Sequence, residues 1–295
     1  MRHSYIEFKK QRDFGEILND TFSFLRNEFK PFMSVYFHIC GPFLITFLLS
    51  IGLYTYIAGD EAVLDPFNDS PLAFSNPFLF LIVFLVYVIS AIVAYIFSIS
   101  TTLFFIKSYV DNKGEASLEE IKGNVYKAFW GFFGLSILKS LTLFFAILLC
   151  ILPVLYAMVP MAVVFSIYVF EPRKSATDAY GDSFYLVNQD FWLALGTFIV
   201  FAIIFYILTV VFSLPAVIYG FVKMGVTASE FDPSDMSDFV DPFYVLLNVL
   251  STFTQFILNL ILIIGGAFIY FHLNEKKNFT GTYERIGKIG EKLEQ

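Results

Sequence analysis

The sequence predicts an all-α membrane protein with about six transmembrane helices in three repeats, each an amphipathic helix followed by a transmembrane pair. Three observations predict it. The 295 residues are 57% hydrophobic and 15% charged, with a mean hydropathy of +0.70, whereas soluble domains carry nearer a quarter charged residues. Five charge-free runs, 31–59, 70–106, 140–170, 191–222 and 242–274, occupy 162 residues, and each exceeds the roughly 20 residues that cross a bilayer. Three charged segments also align without gaps and share a helix-start signal. With no basic domain and no large polar segment, a soluble enzyme, a disordered chain and a nucleic-acid binder are excluded.

The crossings fall at about 32–58, 77–106, 132–151, 154–170, 191–213 and 243–271, in one membrane domain spanning 1–272, followed by a basic tail over 273–295. The first 30 residues hold eleven charges and no apolar core, so no cleavable signal peptide is expected. Cys40 and Cys150 lie in apolar runs at different depths and are expected as unpaired membrane cysteines.

Orientation follows from Lys and Arg. Seventeen of the 19 lie in the N-terminal segment, around 107–127, at 173–174 and in the tail, all on one side. The opposite loops, 59–76 and 223–241, carry nine carboxylates and one lysine, Lys223. Both termini are therefore expected in the cytoplasm. The stretch from Trp130 to Phe170 has no polar loop, and reads either as two crossings or as a short hairpin turning at Pro153 and Pro160. A single crossing would put the basic tail outside.

The aligned segments begin at Asp13, Ser117 and Ser175 and read DFGEILNDTFSFLRNEF, SLEEIKGNVYKAFWGFF and SATDAYGDSFYLVNQDF. Each opens with a capping residue followed three positions on by Glu16, Glu120 or Asp178, the capping-box signal. The alignment stacks Asp20 with Asn124 and Asp182, and Phe22 with Tyr126 and Phe184. Amphipathic helices are expected over about 14–29, 118–132 and 176–190, binding lipid headgroups or covering the ends of the bundle and facing partners with those six residues.

No catalytic, cofactor or metal constellation is present. His3, His38 and His272 have no carboxylate or cysteine at metal-ligand spacing, and no phosphate loop, nucleophile elbow or HExxH occurs. Lys139 is the one formal charge inside an apolar stretch, either snorkelling to the surface or serving an anion. Asn248, Thr252, Gln255 and Asn259 recur at helical spacing, forming a polar stripe that faces other helices or a wet cavity. With Lys139 they make the candidate intramembrane site. Asp232, Asp235, Asp238 and Asp241 repeat every three residues in FDPSDMSDFVDP, as a solvated acidic loop or a ridge for a cation or basic partner.

The opening RDFGEILNDTFSFLRNEFKPF and the ending YFHLNEKKNFTGTYERIGKIG resemble an uncharacterised family of Bacteroidota-type inner-membrane proteins. Its helical layout is similar to the membrane domain attached to some glycerophosphoryl diester phosphodiesterases. The resemblance implies a location and not a reaction, since that chemistry belongs to a separate barrel domain. It also implies company, because members are often encoded beside a MoxR-type AAA+ ATPase and von Willebrand-type membrane proteins. The expectation is a non-enzymatic scaffold or complex subunit whose partners are membrane lipids and other membrane proteins. The alternative is a transporter or lipid-handling protein with a polar cavity between the repeats.

Overall fold

The computed structural model describes residues 5–64, 72–74, 76–149, 151–171, 174–227, 240–283 and 285–286. Among these residues, seven helices and one small hairpin occur in the order α1 (Phe14–Glu61), β1 (Ala62–Leu64), β2 (Leu72–Phe74), α2 (Pro77–Asp111), α3 (Leu118–Leu149), α4 (Ile151–Phe170), α5 (Ala176–Val187), α6 (Phe191–Thr227) and α7 (Pro242–Asn278). The two strands pair antiparallel, Val63 opposite Ala73. All helices except the short α5 are long and apolar enough to cross a bilayer. The chain is an all-α, multi-pass membrane protein.

Helix starts obey local capping. Asp13 and Glu16 close a reciprocal box, with Glu16 N–H donating to Asp13 Oδ1 at 2.7 Å and Asp13 N–H to Glu16 Oε2 at 3.3 Å. Ser175 and Asp178 do the same ahead of α5. The start of α3 is tied differently: Ser108 on α2 accepts from Ser117 N–H and donates to Glu120, at 3.2 and 3.3 Å. Only the third amphipathic stretch is a separate helix. The stretches at 14–29 and 118–132 run unbroken into the apolar parts of α1 and α3, through Pro31 and Gly134 respectively. After α5, Asn188 ends the helix with its N–H on Phe184 O at 3.2 Å, and Asp190 O receives Ala194 N–H at 3.1 Å as α6 begins.

Between Trp130 and Phe170 there are two helices. α3 is described to Leu149 and α4 from Ile151, and Pro160 lies inside α4 without ending it. At 20 residues α4 is about 30 Å long, the thickness of a hydrocarbon core. Pro215 is likewise inside α6, which continues to Thr227.

The helices divide into two compact units. The first comprises Met1–Ile39, Ile96–Phe205 and Leu260–Gln295. Its core is aromatic: Phe8 stacks on Phe268 at 4.3 Å and meets Phe24 edge-on at 5.2 Å, and Phe132 stacks on Phe165 at 5.4 Å. Glycines permit the closest approaches. A Cβ on Gly265 would come 2.6 Å from the Phe201 ring, and one on Gly266 would come 3.0 Å from the Ala162 carbonyl oxygen.

The second unit comprises Cys40–Tyr95 and Tyr206–Asn259. Tyr54 stacks on Tyr87 at 5.1 Å, Phe47 packs between Tyr87 and Phe256, and the Ser50 and Ser90 hydroxyls bond at 2.5 Å. Cys40 is buried and reduced, its thiol 3.9 Å from the Ala94 carbonyl, while Cys150 lies outside the described residues. At the start of α7, Asp241 caps the Tyr244 N–H at 2.8 Å and accepts from the Tyr219 hydroxyl at 2.5 Å and Lys223 at 2.9 Å. Asp232, Asp235 and Asp238 lie outside the described residues.

Candidate functional site

The sequence-predicted intramembrane residues are divided between the units. Lys139, on α3 of the first unit, is half-buried with its ammonium 5.4 Å from the centre of the Phe165 ring, a cation–π distance. Asn248, Thr252, Gln255 and Asn259 belong to the second unit, all half-buried, and the Asn248 amide donates to Tyr244 O of its own helix at 3.0 Å. Lys139 and the stripe are thus not assembled within one unit.

The six aligned positions all lie in the first unit. Asp20 and Asp182 are held by internal ion pairs, with Arg12 at 2.8 Å and Lys174 at 2.6 Å. Asn124 is half-buried. Phe22 is 6.5 Å from Phe201, Tyr126 meets Phe97 edge-on, and Phe184 packs with Tyr180 and Tyr156. Phe22 and Tyr126 keep part of their rings exposed.

The densest polar constellation is one that sequence reasoning passed over. Arg12 precedes α1 and is 3% exposed. Its Nη1 donates to the carbonyls of Phe8 and Lys10 at 2.7 and 3.1 Å, its Nη2 to that of Glu7, and its Nε to Asp20. The guanidinium also lies 4.9 Å from the Phe268 ring centre. The charge is therefore neutralised by one carboxylate and wrapped in its own backbone.

Arg12 N–H donates to His272 Nδ1 at 3.0 Å, so the ring proton sits on Nε2, 3.4 Å from Asp190 Oδ2. Lys276 binds the same Asp190 oxygen at 2.6 Å. Burial alone would raise the Asp190 carboxyl, but the hydrogen bonds from Lys276 and His272 outweigh it and hold it below its ordinary value.

One turn further, Glu275 is 1% exposed and gathers the chain after α7: the N–H groups of Gly281 and Thr282 donate to it at 2.7 and 2.9 Å, with the hydroxyls of Thr280 and Thr282. Gly281 lies so close to the Lys9 carbonyl that a Cβ would collide with it. Residues 7–12, the α5–α6 elbow and 268–282 are in this way one hydrogen-bonded lock. On its surface Phe279, and just past it Tyr283 and Ile286, are 45%, 68% and 60% exposed.

Chemically, the lock fixes two distant chain segments. It offers neither a nucleophile beside a base nor, among the described residues, any group of three His, Cys, Asp or Glu placed to hold a metal ion. A sequence signal did exist in the clustering of His272, Glu275, Lys276 and Lys277 after an apolar run, but those residues read equally well as a solvated tail. No protein-family model, curated protein or solved structure matches the chain.

Proposed function

We propose that the chain is a non-enzymatic subunit or scaffold of a larger assembly in the bacterial inner membrane, with both termini in the cytoplasm. The observation that carries this reading is the lock. A buried Arg12, a buried Glu275 and the Asp190 carboxylate are all spent on holding the segment after α7 against the N-terminal segment. The result is a fixed mount displaying Phe279, Tyr283 and Ile286. Exposed aromatic and aliphatic side chains on rigid backbone are the anchors that protein interfaces use. The resemblance to the Bacteroidota-type family points the same way, toward membrane proteins linked to an AAA+ ATPase.

The test is gentle purification of the full chain from native membranes, with mass spectrometry of what accompanies it. A stoichiometric partner, present with the natural chain and lost with Tyr283→Ala plus Ile286→Ala, supports the scaffold reading. A lone, monodisperse protein overturns it. Transport or lipid handling is the second reading, favoured by the half-buried Gln255 and Asn259. Replacing both with leucine leaves partner capture intact under the scaffold reading and abolishes function with assembly intact under the transport reading.

A further inference from the structure

A cleft of about 680 Å³ opens in the first unit between α1 and the turn after α2, within the size range of small-molecule sites. Its α1 wall carries Arg26 and Lys30, one turn apart, and its opposite wall carries Lys113 and Glu115. Among the described residues none of these four makes an ion pair, and all four are exposed. That distinguishes them from the lock, where every charge is engaged. Glu28 also lines the cleft and already has an interaction of its own.

The neighbouring cleft, separated by Tyr5 stacked on Tyr109 at 5.3 Å, has its Arg285 and Glu7 paired at 3.4 Å. Lys113 lines both clefts, whereas Arg26, Lys30 and Glu115 line only the first. Lys113 is held there by backbone that few side chains adopt, with φ +52°, closed by Gly114 N–H on Tyr109 O at 2.8 Å.

Depth in the membrane selects the ligand. Lys30 is the last charge before the apolar run 31–59 of α1, and Lys107 is the first after the run that ends at 106 in α2. Both walls thus sit where hydrocarbon gives way to headgroups. Along α1 the outward face below Lys30 carries Phe37, against which an acyl chain can lie, beside Ser34 and His38. Pro31 removes the N–H that would ordinarily cover the Asn27 carbonyl, and both residues line the cleft.

We infer that this cleft binds the headgroup of an aminophospholipid, a phosphodiester bearing a primary ammonium, drawn from the surrounding leaflet. Arg26, Lys30 and Lys113 take the phosphate, and Glu115 with the Asn27 carbonyl takes the ammonium. An anionic lipid without an amine satisfies the cations but leaves Glu115 unanswered. A quaternary amine lacks the N–H groups that Glu115 and the carbonyl accept. The inference is independent of the scaffold reading, since a scaffold and a transporter could each hold such a lipid.

The test is native mass spectrometry of the lipid-depleted full chain in detergent, titrated with phosphatidylethanolamine, phosphatidylglycerol or phosphatidylcholine of equal acyl chains, and separately with free phosphoethanolamine. Phosphatidylethanolamine is expected to bind at least fivefold tighter than the other two lipids. Arg26→Gln with Lys30→Gln weakens it at least tenfold, and Glu115→Gln erases the preference over phosphatidylglycerol while leaving phosphatidylglycerol bound. All three side chains are exposed, so unchanged melting temperatures verify that the variants fold. Phosphatidylglycerol binding as tightly as phosphatidylethanolamine, or a double variant that binds normally, overturns the inference. Free phosphoethanolamine binding as tightly as the lipid overturns the lipid source.

Discussion

Replacing Arg12 with leucine removes the centre of the lock. The guanidinium side chain is 1% exposed, whereas its Asp20 partner is 25% exposed and can rehydrate. Breaking a buried ion pair from one side costs about 3–5 kcal/mol, and the water-accessible Asp20 places this case at the lower end. The three carbonyls of Glu7, Phe8 and Lys10 lose their donors too, and each buried acceptor left open adds on the order of 1–3 kcal/mol. That of Phe8 is the deepest.

The ion pair alone, at about 3 kcal/mol, sets a floor that raises the opening constant of residues 6–12 by at least roughly two decades. Amide hydrogen exchange of the full chain in detergent reads that constant directly, because the Arg12 N–H is itself bonded to His272. Asp20→Asn keeps an oxygen acceptor for Nε and should shift exchange by less than tenfold. An Arg12→Leu chain whose segment 6–12 opens less than tenfold more often would refute the lock as a stabilising device.

Packing and charge supply two further perturbations. Gly266→Ala drives a Cβ against the Ala162 carbonyl and should destabilise by about 1–3 kcal/mol, whereas Gly123→Ala, exposed with nothing within 4 Å, should stabilise by about 0.5–1 kcal/mol. Equal thermal shifts in the two variants would contradict the packing described. Asp241 is held at about 2, mainly by the Tyr219 hydroxyl and then by the Tyr244 N–H and Lys223. A depressed carboxyl contributes stability above its unfolded value of 3.8 and loses it as the pH falls toward 2. Thermal unfolding between pH 5 and 2.5 should therefore bring the natural chain down toward Asp241→Asn, and a constant gap between them would count against that cap.

Five apolar runs were legible because absence of charge is a one-dimensional signal: a run either clears the bilayer length or does not. The same signal could not resolve α3 from α4, since no charge lies between Lys139 and Glu171. The capping boxes at Asp13 and Ser175 were legible as local spacing. That two amphipathic stretches run on into longer helices was not, because continuity is decided by the residues beyond the stripe rather than by the stripe. Arg12 was counted only toward topology. Its burial rests on carbonyls, which every residue has, and on His272, 260 positions away, so no residue type in its neighbourhood announced it. Asp190 read as the end of a helix for the same reason.

The lock also sets a timetable. Its halves are far apart in the chain, Arg12 on one side and His272 to Thr282 on the other. At ribosomal speeds of about 5–20 residues per second, the second half emerges roughly 10–50 s after the first. Until then Arg12 lacks its His272 partner, and Phe8 lacks the Phe268 ring it stacks on. The crossings can enter the membrane one after another, but the platform at this end closes only once α7 has been made. A nascent chain stalled before α7 would carry an open N-terminal segment, and quality-control proteases would read it as unfinished.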